Sequence, residues 1–537
     1  MEVFMWSADL GNGKYRNPIL YADYSDPDVV RVGEDYYMIA SSFSNSPAIP
    51  LLHSKDLVNW KVVNYVLKHV PEFRYRNPIH GCGVWAPSIR YHEGTYYVCL
   101  PMPDEGIYMT TAKDPLGEWS TPVNIRPKAG WIDPCPFWDD DGKAYLVAGV
   151  AKSRIGYKSV LHMVEMQPDG MGLIGEEVKI FDGNLNDQVT IEGPKLHKKD
   201  GWYYIFAPAG GVKTGWQTVL RSKNIFGPYE YKVVMRQGDS PVNGPHQGAW
   251  VDTVTGEDWF IHFQDVYACG RITHLQPMHW ENGWPIIGVN KEGNDYGEPV
   301  MEYTKPNVGE VSQEVCEPDA SDDFTGDKLG LQWQFNANYE DSWYDMTGAG
   351  IKLNAVNAVK TRPLGDIRNV LLQKWPAPEF SCVTTMDISG LKDGDTAGVI
   401  SLGMEYSAIT LQKCDEGYAV KHVKGIQNFD CDMPYTDEDI NQVCTFSADT
   451  KKVYFKYTVK VVEHRDHDEL GLIVKNVPHE DITIEISTDG TQYNHALTIH
   501  AKAGRWVGVK NGPFIRHDSD VKEDGGYIVV EKVEYTN

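Results

Sequence analysis

The unit that decides the fold reads EGPKLHKKDGWYYI over residues 192–205. An anchor residue beside a proline is followed by a polar turn and then by an aromatic strand. The same order occurs five times within the first 300 residues, and the anchors are Asp26, Trp85, Asp133, Glu192 and His246. Such self-similarity predicts one supersecondary unit that is used repeatedly around a common core.

The distance between anchors sets the size of each unit. Successive anchors lie 59, 48, 59 and 54 residues apart, which is enough for four short strands and their connections. Apolar runs are short and alternating, and 50 Gly and 31 Pro interrupt the chain often, as is typical of all-β proteins. We therefore predict a five-bladed β-propeller over residues 1–305. A β-sandwich or a β-helix is the alternative for this region, and the turn spacing favours it less.

The remainder of the chain has a different pattern. Residues 306–322 gain Glu, Pro, Asp and Ser and lose the aromatic strands, so we interpret them as a linker. Alternating strands return over residues 323–537 without the repeat, for example at 453–459 and 527–531. About 200 residues of this kind predict a two-sheet β-sandwich.

Charge and composition limit the classes of partner. The chain has 75 acidic and 50 basic side chains, a net charge of −25, which argues against nucleic acid or an anionic membrane as the partner.

The chain contains no run of 18 apolar residues, so we predict no transmembrane helix. The start lacks a basic segment, and nine cysteines without CxxC spacing indicate reduced thiols, so we expect a cytoplasmic protein, although removal of an export signal would leave the same start. The sequence leaves open whether the protein forms a homo-oligomer.

The propeller prediction brings the five anchors together at one end of the central channel. Three of the anchors are carboxylates, and clustered carboxylates raise at least one pKa, as a general acid working near neutral pH requires. Paired carboxylates in a funnel with aromatic walls indicate glycoside hydrolysis. By spacing alone, Asp28 is an alternative to Asp26 as the general base.

A series of motifs runs in order along the whole chain. They are Arg16-Asn17-Pro18-Ile19-Leu20, Ser25-Asp26-Pro27, Val84-Trp85-Ala86-Pro87, Asp133-Pro134, Ile191-Glu192-Gly193-Pro194, His262-Phe263-Gln264-Asp265, Gly270-Arg271, Asp323-Phe324 and Gly504-Arg505-Trp506-Val507-Gly508. Together they resemble glycoside hydrolase family 43, in particular its two-domain β-xylosidase and α-L-arabinofuranosidase branch. The last two motifs resemble the C-terminal concanavalin-like, or laminin-G-like, sandwich of that branch.

The resemblance implies a role for each acidic anchor. It implies that Asp26 is the general base for water and that Glu192 is the general acid. It implies that Asp133 tunes the pKa and the orientation of the acid. It also selects Asp26 over Asp28 as the base.

The resemblance further implies residues that contact substrate and a metal. Phe43 and Trp85 match walls of the pocket, and Arg271 matches an arginine that contacts substrate. His246 matches a channel histidine that lies near a calcium ion or its waters in related enzymes, so Ca²⁺ is the one cofactor implied. Gln247 departs from the family, where a small residue is common at this position, and this argues against the metal.

The activity implied is that of an inverting, exo-acting hydrolase. Its substrates would be xylo-oligosaccharides or arabinoxylan-derived oligosaccharides, from which it removes terminal β-D-xylose and also α-L-arabinofuranosyl groups. The first alternative is a primary α-L-arabinofuranosidase, and the second is a non-catalytic carbohydrate-binding propeller. Inversion predicts about 6.5 to 9.5 Å between acid and base. We also expect the sandwich to close one side of the funnel, so that only one terminal sugar enters.

Overall fold

A computed structural model describes residues 4–291, 293–426, 438–467 and 473–537. Within these ranges the chain is almost entirely β, as predicted, with a single short helix α1 (Lys152–Ile155). No helix in the described ranges is long and apolar enough to cross a membrane. Five 3₁₀ turns complete the non-strand elements: Phe73–Arg76, Gly183–Leu185, Tyr267–Cys269, Asp341–Trp343 and Leu364–Asp366.

The N-terminal part is the predicted five-bladed propeller, and in each blade four consecutive strands pair antiparallel. Strand β1 (Lys14–Arg16) precedes blade 1, which contains β2 (Asp28–Val32), β3 (Asp35–Ile39), β4 (Ala48–Ser54) and β5 (Lys61–Leu67). Blade 2 contains β6 (Ser88–His92), β7 (Thr95–Met102), β8 (Gly106–Ala112) and β9 (Val123–Arg126). Blade 3 contains β10 (Trp131–Trp138), β11 (Ala144–Val150), β12 (Val160–Met166) and β13 (Val178–Asp182).

Two further blades complete the ring. Blade 4 contains β14 (Lys195–Lys199), β15 (Trp202–Ala209), β16 (Trp216–Ser222) and β17 (Glu230–Met235), and blade 5 contains β18 (His246–Asp252), β19 (Asp258–Val266), β20 (Gly270–Glu281) and β21 (Trp284–Ile287). The short strands β22 (Val289–Asn290) and β23 (Gly297–Glu298) extend blade 4. Strand β24 (Glu302–Thr304) returns to pair with β1, so the two ends of the propeller are joined.

The anchors lie where the repeat predicts, at the start of the first strand of each blade. Strand β2 begins two residues after Asp26, β6 and β14 begin three residues after Trp85 and Glu192, and β18 begins at His246. Asp133 lies inside β10, where the register with β11 shifts between residues 132 and 135. Such a bulge re-aims a side chain that would otherwise alternate with the ladder.

The C-terminal part is a two-sheet sandwich, as predicted. One sheet has the order β25-β29-β38-β31-β32-β33-β34, with β28 beside β38, and the other has the order β26-β27-β39-β30-β35-β36-β37. The first sheet contains β25 (Gln334–Phe335), β28 (Val356–Ala358), β29 (Leu371–Lys374), β31 (Asp395–Leu402), β32 (Glu405–Cys414), β33 (Gly417–Ile426), β34 (Asp439–Ser447) and β38 (Lys510–Asp518). The second contains β26 (Tyr344–Met346), β27 (Ile351–Asn354), β30 (Phe380–Asp387), β35 (Lys452–His467), β36 (Ile473–Ser487), β37 (Asn494–His500) and β39 (Tyr527–Thr536).

The two domains pack against each other over a shared apolar core. Buried Ala268, Cys269 and Ile272 of blade 5 belong to the same cluster as the sandwich interior. In the connection between β24 and β25, the carboxylate of Glu317 accepts the backbone N–H of Trp6 at 2.8 Å. The sandwich is therefore fixed beside the propeller end that carries the anchors.

Candidate active site

Asp26 lies at the start of blade 1 and is held on both of its oxygens. Asp26 is 4% exposed and has a φ of +56°. This backbone conformation is unfavourable for residues other than glycine and is typical of functional sites. The Ser41 hydroxyl donates to Oδ2 at 2.5 Å, and an Arg271 N–H donates to Oδ1 at 3.0 Å. Each oxygen retains a lone pair for a further donor such as water.

Asp133 is as buried as Asp26 and interacts electrostatically with both of the other acids. It has the same left-handed backbone as Asp26, with a φ of +54°, and its Oδ2 accepts the Gly193 N–H at 2.8 Å. Burial raises the pKa of Asp133 to about 7, and the negative charges of Glu192 and Asp26 add to that effect. The raised pKa expected from clustered acids is therefore found at Asp133.

Glu192 is the most accessible of the three acids. Its side chain is 27% exposed, against 6% for Asp26. The Nε2 atom of His246 lies 2.9 Å from Glu192 Oε1, and the His246 side chain is only 1% exposed. A ring fixed by burial in this way orients the carboxyl group that an incoming sugar would meet.

The aromatic walls come from both domains. Phe43 and Trp85, the two predicted wall residues, have ring centroids 6.4 Å apart. Trp506 of the sandwich lies 4.8 Å from Trp85 edge-on and stacks on Phe43 at 6.5 Å with a 21° interplanar angle. The Arg154 guanidinium lies 5.1 Å from the Trp85 ring. The sandwich therefore supplies a wall on one side of the funnel. The sequence predicted that the sandwich would close one side.

Asp28 does not belong to this site. Its carboxylate is completely buried and pairs with Arg90 at 2.7 Å and with Lys195 at 3.8 Å. It also accepts the Ile89 N–H at 2.9 Å. These contacts exclude the alternative that Asp28 activates water, because its charge is already neutralised inside the propeller.

The calcium prediction was tested against the residues around His246. The described residues contain no group of three His, Cys, Asp or Glu side chains that could hold a metal ion. His246 Nδ1 is buried and has no hydrogen-bond partner in the described part of the chain, so it offers one nitrogen, whereas Ca²⁺ takes six to eight oxygens. These residues do not fit a directly bound calcium ion, and we derive no step through one.

The eight cysteines that the structure describes form no disulfide bond. Cys431, the ninth, lies outside the described residues.

Comparison with known sequences assigns the family. The profile described as "Glycosyl hydrolases family 43" matches residues 15–285. The profile described as "Beta xylosidase C-terminal Concanavalin A-like domain" matches residues 321–536. The chain is a member of glycoside hydrolase family 43.

Relatives of this family 43 enzyme match most of the chain. It is 31% identical over 579 aligned residues to a protein of Formosa agariphila named β-xylosidase, covering 98% of this chain and 91% of the relative. It is 33% identical to a Bacteroides ovatus protein named non-reducing end α-L-arabinofuranosidase, over 64% of this chain and 65% of the relative. A family 43 protein of Bacillus licheniformis, solved as a variant, superimposes with a TM-score of 0.78 at 25% identity, covering 97% and 99% of the two chains.

The structure adds residues that sequence reasoning did not assign. Ser41 and Asp23 contact the Asp26 and Arg271 pair, and Trp506 completes the aromatic wall. Trp506 lies in a motif that was recognised from the sequence, but only as part of the sandwich. His246, predicted as a metal neighbour, has an acidic partner in Glu192.

Proposed function

We propose that this family 43 enzyme is an inverting exo-hydrolase that removes terminal β-D-xylose from xylo-oligosaccharides. The observation that carries the proposal is the convergence of three acids, Arg271 and His246 at one end of the propeller channel beside an aromatic wall to which the sandwich contributes. A funnel closed on one side admits the end of an oligosaccharide and excludes its middle. The relative named β-xylosidase supports the choice of sugar.

The chemistry follows from the positions of the acids. Asp26 takes a proton from a water molecule, whose oxygen forms a bond to the anomeric carbon from the face opposite the leaving group. Glu192 gives a proton to the glycosidic oxygen as the bond from that oxygen to the anomeric carbon breaks. Arg271 orients Asp26 through their ion pair, and His246 orients Glu192.

Proton NMR of the released sugar tests both the substrate and the stereochemistry. Xylobiose and an α-L-arabinofuranoside are hydrolysed side by side, and the anomer formed first is recorded. We expect α-xylose from xylobiose, the inverted product. The xylose from the reducing end leaves with its existing mixture of anomers, so β-xylose in excess of that share would contradict inversion. No release from either substrate would contradict the proposed activity.

Two variants test the roles of the acids. Glu192→Gln and Asp26→Asn should each reduce kcat by at least about 10²-fold, the scale of a lost general acid or base. Both replacements keep the shape of the side chain, so both variants should fold. The thermal unfolding midpoint of Glu192→Gln should change little, whereas Asp26→Asn should lower it because Arg271 loses a buried partner. The exposed turn residue Asp415 gives the matched control, because Asp415→Asn removes one carboxylate outside the site. Near-wild-type turnover in either acid variant would overturn the assignment.

α-L-Arabinofuranosidase activity is the second candidate. It is supported by the relative named as such, which is 33% identical. The same NMR experiment decides between one and two activities, because dual specificity requires inverted arabinose as well as inverted xylose.

For the cofactor, we propose that the unpartnered Nδ1 of His246 holds a water molecule, and that any calcium ion binds through that water. Dialysis against EDTA followed by titration with Ca²⁺ tests this, with the unfolding midpoint and kcat as readouts. A Ca²⁺-dependent rise in the midpoint would show that the folded enzyme binds the ion, and an unchanged midpoint and kcat would contradict calcium binding.

A further inference from the structure

One short segment of the sandwich, residues 504–510, meets the propeller beside the catalytic base. The Gly508 N–H donates to Asp23 Oδ2 at 3.0 Å, and the Val509 N–H donates to the Ala268 carbonyl at 2.8 Å. Lys510 donates through its ammonium group to the side chain of Asn45. Backbone and side-chain bonds thus tie this segment to two parts of the propeller.

Asp23 links this segment to the arginine of the active site. Its second oxygen, Oδ1, accepts the backbone N–H of Arg271 at 3.0 Å, and the side chain of the same arginine donates to Asp26. Asp23 is 3% exposed, so water does not compete for these bonds. One carboxylate therefore joins Gly508 of the sandwich, Arg271 and, through it, the general base.

The backbones of the two domains are closely packed at this junction. Gly270 has a φ of +79°, and a Cβ built there would lie 2.6 Å from both Asp23 Oδ1 and the Gly508 nitrogen. A Cβ on Gly508 would lie 2.8 Å from the Cys269 carbonyl oxygen. Any other side chain at either glycine would force the two domains apart next to Arg271.

We propose that Asp23 is a positioning residue through which the sandwich domain sets the orientation of Arg271 and hence of the catalytic base Asp26. This inference rests on the proposed function, in which Asp26 activates water. It gives the sandwich a second role besides the Trp506 wall, because the base keeps its geometry only while Gly508 is docked.

Charges around Asp23 make its replacement more costly than the loss of one hydrogen bond. Arg271, Lys374, Lys510 and Asp265 all interact electrostatically with it. Three of these four groups are basic. Burial lowers the pKa of Lys374 and brings that of Lys510 to about 7, so Arg271 is the main charge that Asp23 balances near neutral pH. An asparagine would present its NH₂ group to one of two N–H donors and would carry no charge.

The test is Asp23→Asn in the full-length enzyme. We expect kcat to fall by about 10- to 100-fold, as for a small displacement of a catalytic group. KM should change less than kcat, because Asp23 does not line the aromatic wall and acts on the site only through Arg271. The loss should be equal on xylobiose and on 4-nitrophenyl β-D-xyloside. A better leaving group relieves a defect in the acid but leaves the requirement for a base.

Asp395→Asn is the matched control. Asp395 is 2% exposed and likewise accepts two backbone N–H groups, from Lys392 at 2.8 Å and Gly526 at 2.9 Å, but within the sandwich. It should lower the unfolding midpoint without changing kcat. A drop in kcat equal to that of Asp23→Asn would overturn the proposal, because the effect would then be one of general destabilisation.

Gly508→Ala provides a second route to the same junction and decides the matter if Asp23→Asn does not fold. It should reproduce the kcat loss and its indifference to the leaving group. Wild-type kcat in a folded variant, a change confined to KM, or a loss seen only with xylobiose would each overturn the proposal. Failure of the proposed function is separate, since it appears as no turnover of either xyloside by the wild-type enzyme.

Discussion

Replacing Asp133 by asparagine should stabilise this enzyme while reducing its activity, and the stabilisation should grow with pH. Burial and the neighbouring acids raise the pKa of Asp133 in the folded state to about 7 from its ordinary value of 3.8. Between these two values the folded chain holds a proton that the unfolded chain has released, so wild-type stability falls as the pH rises from about 4 to about 7. Asparagine cannot ionise, and the variant escapes this loss.

The size of the effect follows from the pKa. At about 1.4 kcal/mol per pH unit, the contribution of Asp133 changes by about 3 kcal/mol between pH 5 and pH 8. The propeller has on the order of 300 residues, for which an unfolding entropy of about 2.1 cal/mol/K per residue gives about 0.6 kcal/mol/K. The unfolding midpoint of Asp133→Asn relative to wild type should therefore rise by about 5 °C more at pH 8 than at pH 5. The asparagine carbonyl still accepts the Gly193 N–H, so this bond is kept.

Differential scanning calorimetry at pH 5 and pH 8 measures the difference directly. Asp415→Asn, a change in an exposed turn, serves as the control and should show the same midpoint difference from wild type at both pH values. A gain in the midpoint of Asp133→Asn that is independent of pH, or a lower midpoint at pH 8, would refute the reasoning that burial and the two neighbouring acids disfavour the ionised form of Asp133 in the folded state.

Three further changes probe other parts of the site. His246→Ala should reduce kcat on xylobiose by at least tenfold and on 4-nitrophenyl xyloside by much less, because it disorients the acid Glu192; equal losses on both substrates would contradict this role. Trp506→Ala should raise KM about tenfold, equivalent to about 1.4 kcal/mol of lost contact, and an unchanged KM would show that substrate does not reach this wall. Asp28→Asn should lower the free energy of unfolding by about 3 kcal/mol or more in urea denaturation, because two cations lose their buried partner; an unchanged midpoint would contradict that loss.

The propeller and its site could be predicted because the chemistry coincides with the repeat. Asp26, Asp133 and Glu192 occur at equivalent positions of a unit that recurs every 48 to 59 residues. An anchor beside the start of an innermost strand must face the channel, so the spacing alone brings these acids together. The family resemblance then assigned their roles, and it distinguished Asp26 from Asp28 where the spacing could not.

The residues that escaped prediction depend on contacts between domains. Trp506 lies more than 400 residues from Phe43 and Trp85, and no periodicity in the sandwich marks it as a pocket residue. Asp23 precedes the first repeat, and its proposed role depends on the two backbone N–H groups that it accepts, from Arg271 and from Gly508. Such bonds are set by how the two domains dock, which the pattern within either domain does not specify.

Several residues of the site have energetically unfavourable backbone conformations or buried charges, and the rest of the fold must offset this loss of stability. Asp26, Asp133, Phe43 and Trp506 all have positive φ, and each such residue costs on the order of 1 to 3 kcal/mol. Asp133 adds the electrostatic cost of a buried charge beside two other acids. None of these features stabilises the fold, but each aims a side chain at the same end of the channel. Trp506 is supplied by the sandwich, and Asp23 is held by it. Docking of the second domain therefore completes the wall and, in the proposed mechanism, holds the strained Asp26 in place. We therefore expect substitutions that loosen the docking of 504–510 to reduce activity before they unfold either domain.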